Sequence, residues 1–247
     1  MQVLIVIVAI LFILLIILEK FDGRMNLQSY NMNNKSNFDT NDKRIIGYIH
    51  VCQKGEWRRS YDMLMSKIKN TGLYENVKEI RLGVVSENAQ LIEDPLFNDE
   101  KVRIIYTGNV NEYERPTLLH MKKSSREDPD NTVYFYLHTK GIRWFGTKHE
   151  SKVVEWIESM LDCNIANWEN AFKILDTNET YGCNYNGGHY AGNFWWATAK
   201  HIQKLSDTIP EYYTAPEDWV LTNKDNMYCH NNCGDKFTSP YDPEMYK

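Results

Sequence analysis

The sequence predicts an α/β domain built on a mainly parallel β-sheet, preceded by one N-terminal transmembrane helix. Runs rich in β-branched and aromatic residues recur along the chain, and segments with helical spacing of apolar residues separate them. Strands that alternate with helices in this way are typical of parallel sheets covered by helices on both faces. The transmembrane helix is predicted because residues 3–18 form an unbroken apolar run.

The composition indicates a folded protein without a nucleic-acid partner. Of the 247 residues, 43% are hydrophobic and 25% are charged, which excludes collagen-like, low-complexity and wholly disordered proteins. The formal net charge is -5, so no basic surplus is available to neutralise a phosphate backbone. Aromatic residues make up 13% of the chain, which suits the binding of amphipathic ligands such as sugars.

The first element, residues 1–18, is interpreted as an uncleaved signal anchor. Its apolar run is short for a spanning helix, which needs about 20 residues, but Lys20 and Arg24 can extend it by placing their charges at the interface. A cleaved signal peptide would need a basic start and a small-residue cleavage site, and the sequence has neither. A buried core helix is the third alternative. Since a large domain follows a short N-terminus, we expect a single-pass type II protein of the secretory pathway or a host-derived membrane.

The second element, residues 19–43, is polar, rich in Asn and without apolar periodicity. Such a segment buries too little apolar surface to offset the entropy of ordering, so it predicts a disordered stem. The stem would separate the anchor from a domain that covers residues 44–247.

Strands and helices alternate after the stem. Residues 44–51 show no strict alternation of apolar and polar side chains, as expected for a strand buried on both faces. Helical spacing begins at Trp57 and stops before Gly72, a typical helix end, and Pro116 fits only the first turn of the next helix. The predicted strands cover residues 44–51, 80–85, 102–106, 132–137, 180–185 and 190–197. The predicted helices cover 57–71, 113–123, 150–175 with a break near 163–167, and 199–205, and an irregular tail is expected from 223.

A first candidate site follows the strand predicted over 132–137, because ligands of parallel sheets bind beyond the carboxyl ends of strands. His138, Thr139, Lys140 and Gly141 supply an imidazole, a hydroxyl, an ammonium and a permissive glycine at that place. An ammonium is a compact charge for phosphate, and glycine allows a tight turn close to a ligand. The alternative is an ordinary strand exit with a solvated lysine.

A second candidate site is the segment 184–196, which combines three glycines with five aromatic residues and several hydrogen-bonding side chains. A sugar ring has an apolar C–H face and a hydroxylated rim, and this composition suits both. The alternative is a β-hairpin with tryptophans in the core, because neighbouring strand residues point to opposite faces. The predicted sugar or acceptor residues are His189, Tyr190, Gly192, Asn193, Trp195 and Trp196.

A third candidate site is the carboxylate pair Glu217 and Asp218, in the segment Pro-Glu-Asp-Trp. Such carboxylates are candidates for a general base, and capping of a helix that begins near the proline is the alternative. Asp128 and Asp130 form a literal DxD pattern, but they precede a strand instead of following it, and Pro129 between them indicates a turn.

Several common motifs are absent from the sequence. No GxGxxG follows the first predicted strand, which argues against a dinucleotide-binding fold of the usual type. No GxxxxGK[ST] and no GxSxG occur either, which excludes a P-loop nucleotidase and the usual nucleophile elbow.

Taken together, five segments resemble a GT-A-type glycosyltransferase-like family found in bacterial polysaccharide loci and large DNA viruses. The resemblance implies a Rossmann-type sheet and transfer of a sugar from a nucleotide-sugar donor to a glycan or glycoprotein hydroxyl. It implies that His50 and residues 138–141 hold the donor diphosphate and that Glu217, in preference to Asp218, is the base of a direct displacement. The matching segments are IIGYIHV at 45–51, TGLY at 71–74 before IRLGVV, YFYLHTKG at 134–141, HYAGNFWWA at 189–197 and PEDWV at 216–220.

The sequence departs from this family pattern at the metal site. The position where GT-A enzymes usually keep an acidic DxD motif carries His138, Thr139 and Lys140. Lys140 can offset the charge of the departing diphosphate without a metal, which is the version we favour. In the alternative, Mn²⁺ or Mg²⁺ is retained with His138 and His230 as weak candidate ligands, although hard cations prefer oxygen. A second hypothesis for the whole protein is a membrane-anchored glycan-binding protein without turnover.

Overall fold

The structure is a computed structural model that describes residues 43–185 and 187–230. The predicted anchor, nearly all of the predicted stem and the last residues of the chain lie outside the described residues. Within these two ranges, no helix is both long enough and apolar enough to cross a membrane.

A seven-stranded sheet forms the centre of the domain, with the strand order β3-β2-β1-β4-β6-β5-β7. Strands β1 to β4 are parallel to one another, β6 is antiparallel to β4 and β5, and β7 is parallel to β5. Only β6 therefore runs against the other strands, which confirms the predicted α/β class with a mainly parallel sheet. The strands are β1 (Arg44–Cys52), β2 (Val77–Ser86), β3 (Val102–Asn109), β4 (Thr132–His138), β5 (Thr180–Cys183), β6 (Trp195–Thr198) and β7 (Met227–His230).

Helices cover the faces of the sheet and close its crossovers. The predicted break in the third helix is confirmed, because a π-helical turn, Asp162–Ala166, separates α4 from α5. The helices are α1 (Trp57–Asn70), α2 (Leu73–Asn76), α3 (Arg115–Ser124), α4 (Glu150–Leu161), α5 (Trp168–Ile174), α6 (Ala199–Lys204) and α7 (Ala215–Trp219).

Two predictions of local structure are wrong. The strand expected over 190–197 begins only at Trp195, because a 3-10 turn (Ala191–Asn193) precedes it, with Gly192 and Asn193 at φ of 63° and 58°. A backbone with positive φ cannot continue a strand. The tail expected to be irregular from 223 instead contributes β7, which pairs with β5 at the sheet edge.

The core has one layer on each side of the sheet. On one face, Tyr48, Tyr136 and Trp195 are buried together with apolar residues of α3, α6 and α7. On the other face, Phe135 lies against Trp196, whose indole N–H donates to the carbonyl of Asn164 in the π-helical turn at 2.8 Å. All seven residues of β4 are buried, as expected for a central strand covered on both faces.

The strand order places a crevice between β1 and β4. The chain leaves β1 on one side to build β2 and β3, and it returns to the other side of β1 with β4. At such a switch point the connections on the two sides diverge, and ligands bind there beyond the carboxyl ends of the strands. His50 and His138 are register partners at these ends.

Candidate functional site

Short hydrogen bonds join the carboxyl ends of β1 and β4. The backbone N–H of Thr139 donates to the carbonyl of His50 at 2.9 Å, and the Thr139 hydroxyl accepts from the backbone N–H of Cys52 at 3.0 Å. The His50 ring bonds through Nδ1 to the hydroxyl of Thr117 on α3 at 2.9 Å. Because His50 and Thr139 are buried and use their polar atoms in these bonds, they form the floor of the site.

His138 has a defined tautomer. Its Nε2 lies 2.8 Å from the carbonyl of Gly192, which can only accept, so Nε2 carries the proton. The other ring nitrogen, Nδ1, therefore presents a lone pair, and it lies 3.9 Å from Oε1 of Glu114. Burial and, to a smaller extent, the charge of Lys140 lower the pKa of His138 to about 3. The ring is thus neutral, and its Nδ1 lone pair and the Glu114 carboxylate are two acceptors that face one another.

Glu114 is a site residue that sequence reasoning missed. It immediately precedes α3, and its carboxylate accepts from the Tyr136 hydroxyl at 2.7 Å and from the Asn193 amide at 2.6 Å. Its side chain is only 13% exposed. One sequence signal could have indicated Glu114. It is an acidic residue just ahead of a helix, and that helix starts beyond the carboxyl end of a parallel strand.

The turn at Gly192 and Asn193 supplies the carbonyl that bonds to His138 and the amide that bonds to Glu114. Asn193 is fully buried, and besides its bond to Glu114 it accepts from the Trp195 indole N–H at 2.7 Å. At Gly192 the φ is 63° and a Cβ would lie 2.1 Å from the Met160 sulfur, so any side chain there would be strained and would force Met160 to move. The predicted roles of Gly192 and Asn193 in contacting a sugar directly are not visible, since both face the protein interior.

Lys140 is the cation of the site. The Ser60 hydroxyl holds its backbone on both sides, accepting from its N–H at 2.9 Å and donating to its carbonyl at 3.0 Å. Its ammonium lies over the Trp156 ring, 4.6 Å from the centroid. Burial lowers the pKa of Lys140, and the nearby carboxylates of Glu217 and Glu114 oppose that shift. The ammonium is therefore held close to two negative charges.

Gly141 allows the chain to turn directly after Lys140. Its φ is 73°, and a Cβ would lie 2.3 Å from the Val153 side chain on α4. Both facts explain why a glycine follows the lysine.

Glu217 and Asp218 lie on α7, and both contact His189. Nδ1 of His189 lies 3.2 Å from the Asp218 carboxylate, and Nε2 lies 3.8 Å from that of Glu217. Thr214 is the N-cap of α7, and both carboxylates lie in its first turn just after Pro216, as the helix-start alternative predicted; Asp218 in addition bonds to His189. Glu217 is the more buried carboxylate, 23% exposed against 41% for Asp218.

Three predicted sugar residues lie in the core. Trp195 stacks on Tyr136 at a centroid distance of 5.0 Å, and Trp196 packs on the opposite face of the sheet. The Tyr190 hydroxyl bonds to that of Thr180 at 2.8 Å. All three are at most 1% exposed, so their rings offer no surface to a sugar in this structure.

The two candidate metal ligands are not brought together. His138 ends β4 and His230 ends β7, and β6 and β5 lie between these strands. Three strand spacings correspond to about 14 Å. Throughout residues 43–185 and 187–230, no group of three or more His, Cys, Asp or Glu side chains could hold a metal ion.

The literal DxD pattern has a structural role at the amino end of β4, away from the site. Asp128 precedes β4, and its carboxylate accepts from the Arg81 guanidinium at 2.8 and 3.1 Å and from the Tyr134 hydroxyl at 2.8 Å. These bonds lower the pKa of Asp128 despite its burial. Its role as a structural turn residue agrees with the sequence interpretation.

The rim of the site carries residues that no motif indicated. Tyr113 and Tyr213 are exposed and meet edge to face, with centroids 5.2 Å apart. Arg143 is exposed three residues after Lys140. Partial burial raises the pKa of Tyr213, the negative charges of Glu217 and Glu114 raise it further, and the positive charge of Arg143 opposes the shift.

Comparison with known proteins adds no family to this description. No protein-family model matches the chain. No curated protein is significantly similar to it.

Proposed function

We propose that this chain is a nucleotide-sugar-dependent glycosyltransferase of GT-A-like architecture that transfers a sugar to a glycan or glycoprotein hydroxyl. The observation that carries the proposal is the Lys140 ammonium, half-buried near Glu114 and Glu217 at the switch point of a mainly parallel sheet. A cation there suits a diphosphate, and a carboxylate beside it suits an acceptor hydroxyl.

Lys140 and Arg143 bind the donor diphosphate in this proposal. When the bond from the sugar to the diphosphate breaks, negative charge develops on the leaving group, and a fixed cation stabilises it. The Ser60 clamp on the Lys140 backbone keeps that cation in place before the reaction. We propose that transfer proceeds without a divalent cation; dependence on Mn²⁺ or Mg²⁺ is the alternative, and activity in excess chelator separates the two.

Glu217 is the proposed general base. None of the described residues donates a hydrogen bond to its carboxylate, whereas one oxygen of Glu114 already accepts two hydrogen bonds. The free acceptor capacity of Glu217 is available to take the proton of an acceptor hydroxyl as that oxygen attacks the anomeric carbon. His189 is a positioning residue that lies between Glu217 and Asp218.

The anchor is part of the proposal. Residues 1–18 would hold the domain at a membrane in the type II orientation, with residues 19–43 as a spacer. The apolar run in the sequence supports this placement.

Nucleotide binding tests the function. The thermal midpoint of the full-length protein should rise in the presence of UDP or GDP, because a ligand that binds the native state stabilises it. Lys140→Ala should reduce this response, and Lys140→Arg should restore it only in part, because a planar guanidinium replaces a compact ammonium. Lys152→Ala, an exposed lysine on α4, is the matched control. A wild-type protein that responds to neither nucleotide, nor to their sugar conjugates, would contradict the proposal.

A second candidate function, a glycan-binding protein without turnover, has one observation in its favour. The exposed rings of Tyr113 and Tyr213 offer an aromatic surface that could bind a glycan without a nucleotide. Such a protein would bind glycans and show no response to UDP or GDP.

A further inference from the structure

Exposed aromatic side chains are concentrated beside the site. The described residues include five exposed large hydrophobic side chains, and three of them are Tyr113, Tyr212 and Tyr213, at 36%, 56% and 68% exposure. The other large rings of the described residues are buried or half-buried. A local cluster of exposed apolar surface next to a polar site is typical of a ligand contact.

Tyr113 and Tyr213 form a defined pair. Their planes meet at 83° with centroids 5.2 Å apart, the edge-to-face arrangement that aromatic rings prefer. The Arg115 guanidinium lies over the Tyr113 ring at 5.3 Å. The same guanidinium donates to the carbonyl of Asn111 at 2.9 Å and to that of Glu211 at 3.3 Å, which ties together the two loops that carry the pair.

The backbone of Tyr113 is strained. Its φ is 50° and its ψ is -141°, close to a region that only glycine occupies readily. Strain of this kind persists only where the surroundings enforce it, and it concentrates at functional sites. Here the strained residue carries an exposed ring and directly precedes the half-buried Glu114.

The pair is close in sequence to the two carboxylates of the site. Tyr113 is adjacent in sequence to Glu114, and Tyr213 lies four residues before Glu217. The charges of Glu217, Glu114 and Arg143 all act on the Tyr213 phenol. A sugar ring bound on the pair would therefore lie beside the two loops that lead into Glu114 and Glu217.

We infer that Tyr113 and Tyr213 form a platform for one sugar ring of the acceptor, an inference that rests on the proposed function. The C–H face of a pyranose would lie on the exposed face of one ring, with the other ring beside it at a near right angle, and its hydroxyls would reach the carboxylates and Arg143. This platform replaces the buried tryptophans that the sequence predicted for the same role.

Binding of simple glycosides to the full-length protein tests the platform. The probes are the methyl glycosides of glucose, galactose, mannose and N-acetylglucosamine, observed by saturation-transfer NMR. Tyr213→Ala and Tyr113→Gly should each weaken binding about tenfold, the scale of one aromatic contact. Tyr213→Phe keeps the ring and should bind within about threefold of wild type. Tyr212→Ala, an equally exposed neighbour, should bind like wild type.

The response to UDP and GDP, measured on the same variants, separates this inference from the proposed function. Unchanged nucleotide responses in the tyrosine variants support an acceptor platform. Loss of the nucleotide response in Tyr213→Ala would overturn it, because the pair would then stack on the donor base. Absence of glycoside binding in the wild type, or equal binding in all variants, would also overturn it. Glycoside binding on the pair without any nucleotide response would support the platform and remove the transferase.

Discussion

Two carboxylates near one lysine differ in what they can do. Glu114 is held by Tyr136 and Asn193, whereas Glu217 keeps its acceptor capacity and faces Lys140. A carboxylate that already accepts two short hydrogen bonds gains little from a third donor, so proton transfer is expected at Glu217.

Glu217→Gln should lower kcat by about 10²–10⁴-fold, the usual loss when a general base is removed. The response to UDP or GDP should stay close to that of wild type, because the amide keeps the shape of the side chain. Single-turnover transfer from a nucleotide sugar is the measurement. Asp218→Asn is the matched control, since it changes the neighbouring carboxylate, and it should retain most turnover. If Glu217→Gln is fully active and Asp218→Asn is inactive, Asp218 is the general base and Glu217 is not.

The buried histidines predict a pH dependence of stability. Burial lowers the pKa of His50 from an ordinary value of 6.5 to about 4 and that of His138 to about 3. Above pH 6.5 both rings are neutral in either state, and stability is complete. As the pH falls below 6.5, both histidines become protonated in the unfolded chain but stay neutral in the folded protein. The free energy of unfolding therefore decreases, by about 2 kcal/mol for each ring at pH 5.

Urea unfolding between pH 7.5 and 5 measures this loss. His50→Asn keeps an amide for Thr117 and removes one titrating ring, so its stability should fall with a shallower slope. A free energy of unfolding that stays constant over this range in the wild type would contradict the assignment of two neutral buried rings.

At the scale of elements, the turn before β6 sets the geometry of the site. Gly192→Ala should destabilise the protein by about 1–3 kcal/mol, because its positive φ and the contact with the Met160 sulfur both oppose a Cβ. Gly146→Ala is the matched control, since Gly146 also has a positive φ of 75° but open space around it. Chemical denaturation should show a larger loss for Gly192→Ala, and equal losses would refute the steric part of the argument.

Sequence patterns predicted the elements with strong periodicity and failed where tertiary contacts decide. The central strands and the break in the helix over 150–175 follow from apolar runs and spacing. β7 has no such signal, because its half-buried residues obtain their order by pairing with β5 at the edge.

Some residues of the candidate site could be predicted from the sequence and others could not. Residues adjacent to a recognisable strand, such as Lys140, could be predicted because strand ends in parallel sheets converge. Trp195 and Trp196 were assigned to a sugar because composition does not say which face a ring occupies. Tyr113 could not be predicted, because its position depends on a positive φ that no residue pattern indicates. Glu114 had a signal, its place just ahead of a helix, but that signal does not show that the side chain turns toward Tyr136 and Asn193.

For the molecule as a whole, we expect the first 42 residues to be dispensable for folding. Lys43 already ties the start of the domain to α5, donating to the Phe172 carbonyl at 3.1 Å with its ammonium 4.8 Å from the ring centroid. A chain that begins at Lys43 should unfold cooperatively, with a thermal midpoint close to that of the full-length protein. A chain that begins at Tyr48 lacks half of β1 and should not fold. Aggregation of the Lys43 form with loss of helical circular dichroism would move the boundary.

The single reversed strand has a consequence for how this protein can change over evolutionary time. Because β6 runs against its neighbours, the connection from Cys183 to Trp195 lies at the carboxyl edge of the sheet, where the site is. Insertions into the exposed part of this connection, at Gly187, raise the entropic cost of loop closure slowly, by about 0.6 kcal/mol for each doubling of loop length. Residues added to this connection could therefore provide contacts to a different ligand in a descendant of this protein. The order of the strands in the sheet would not change.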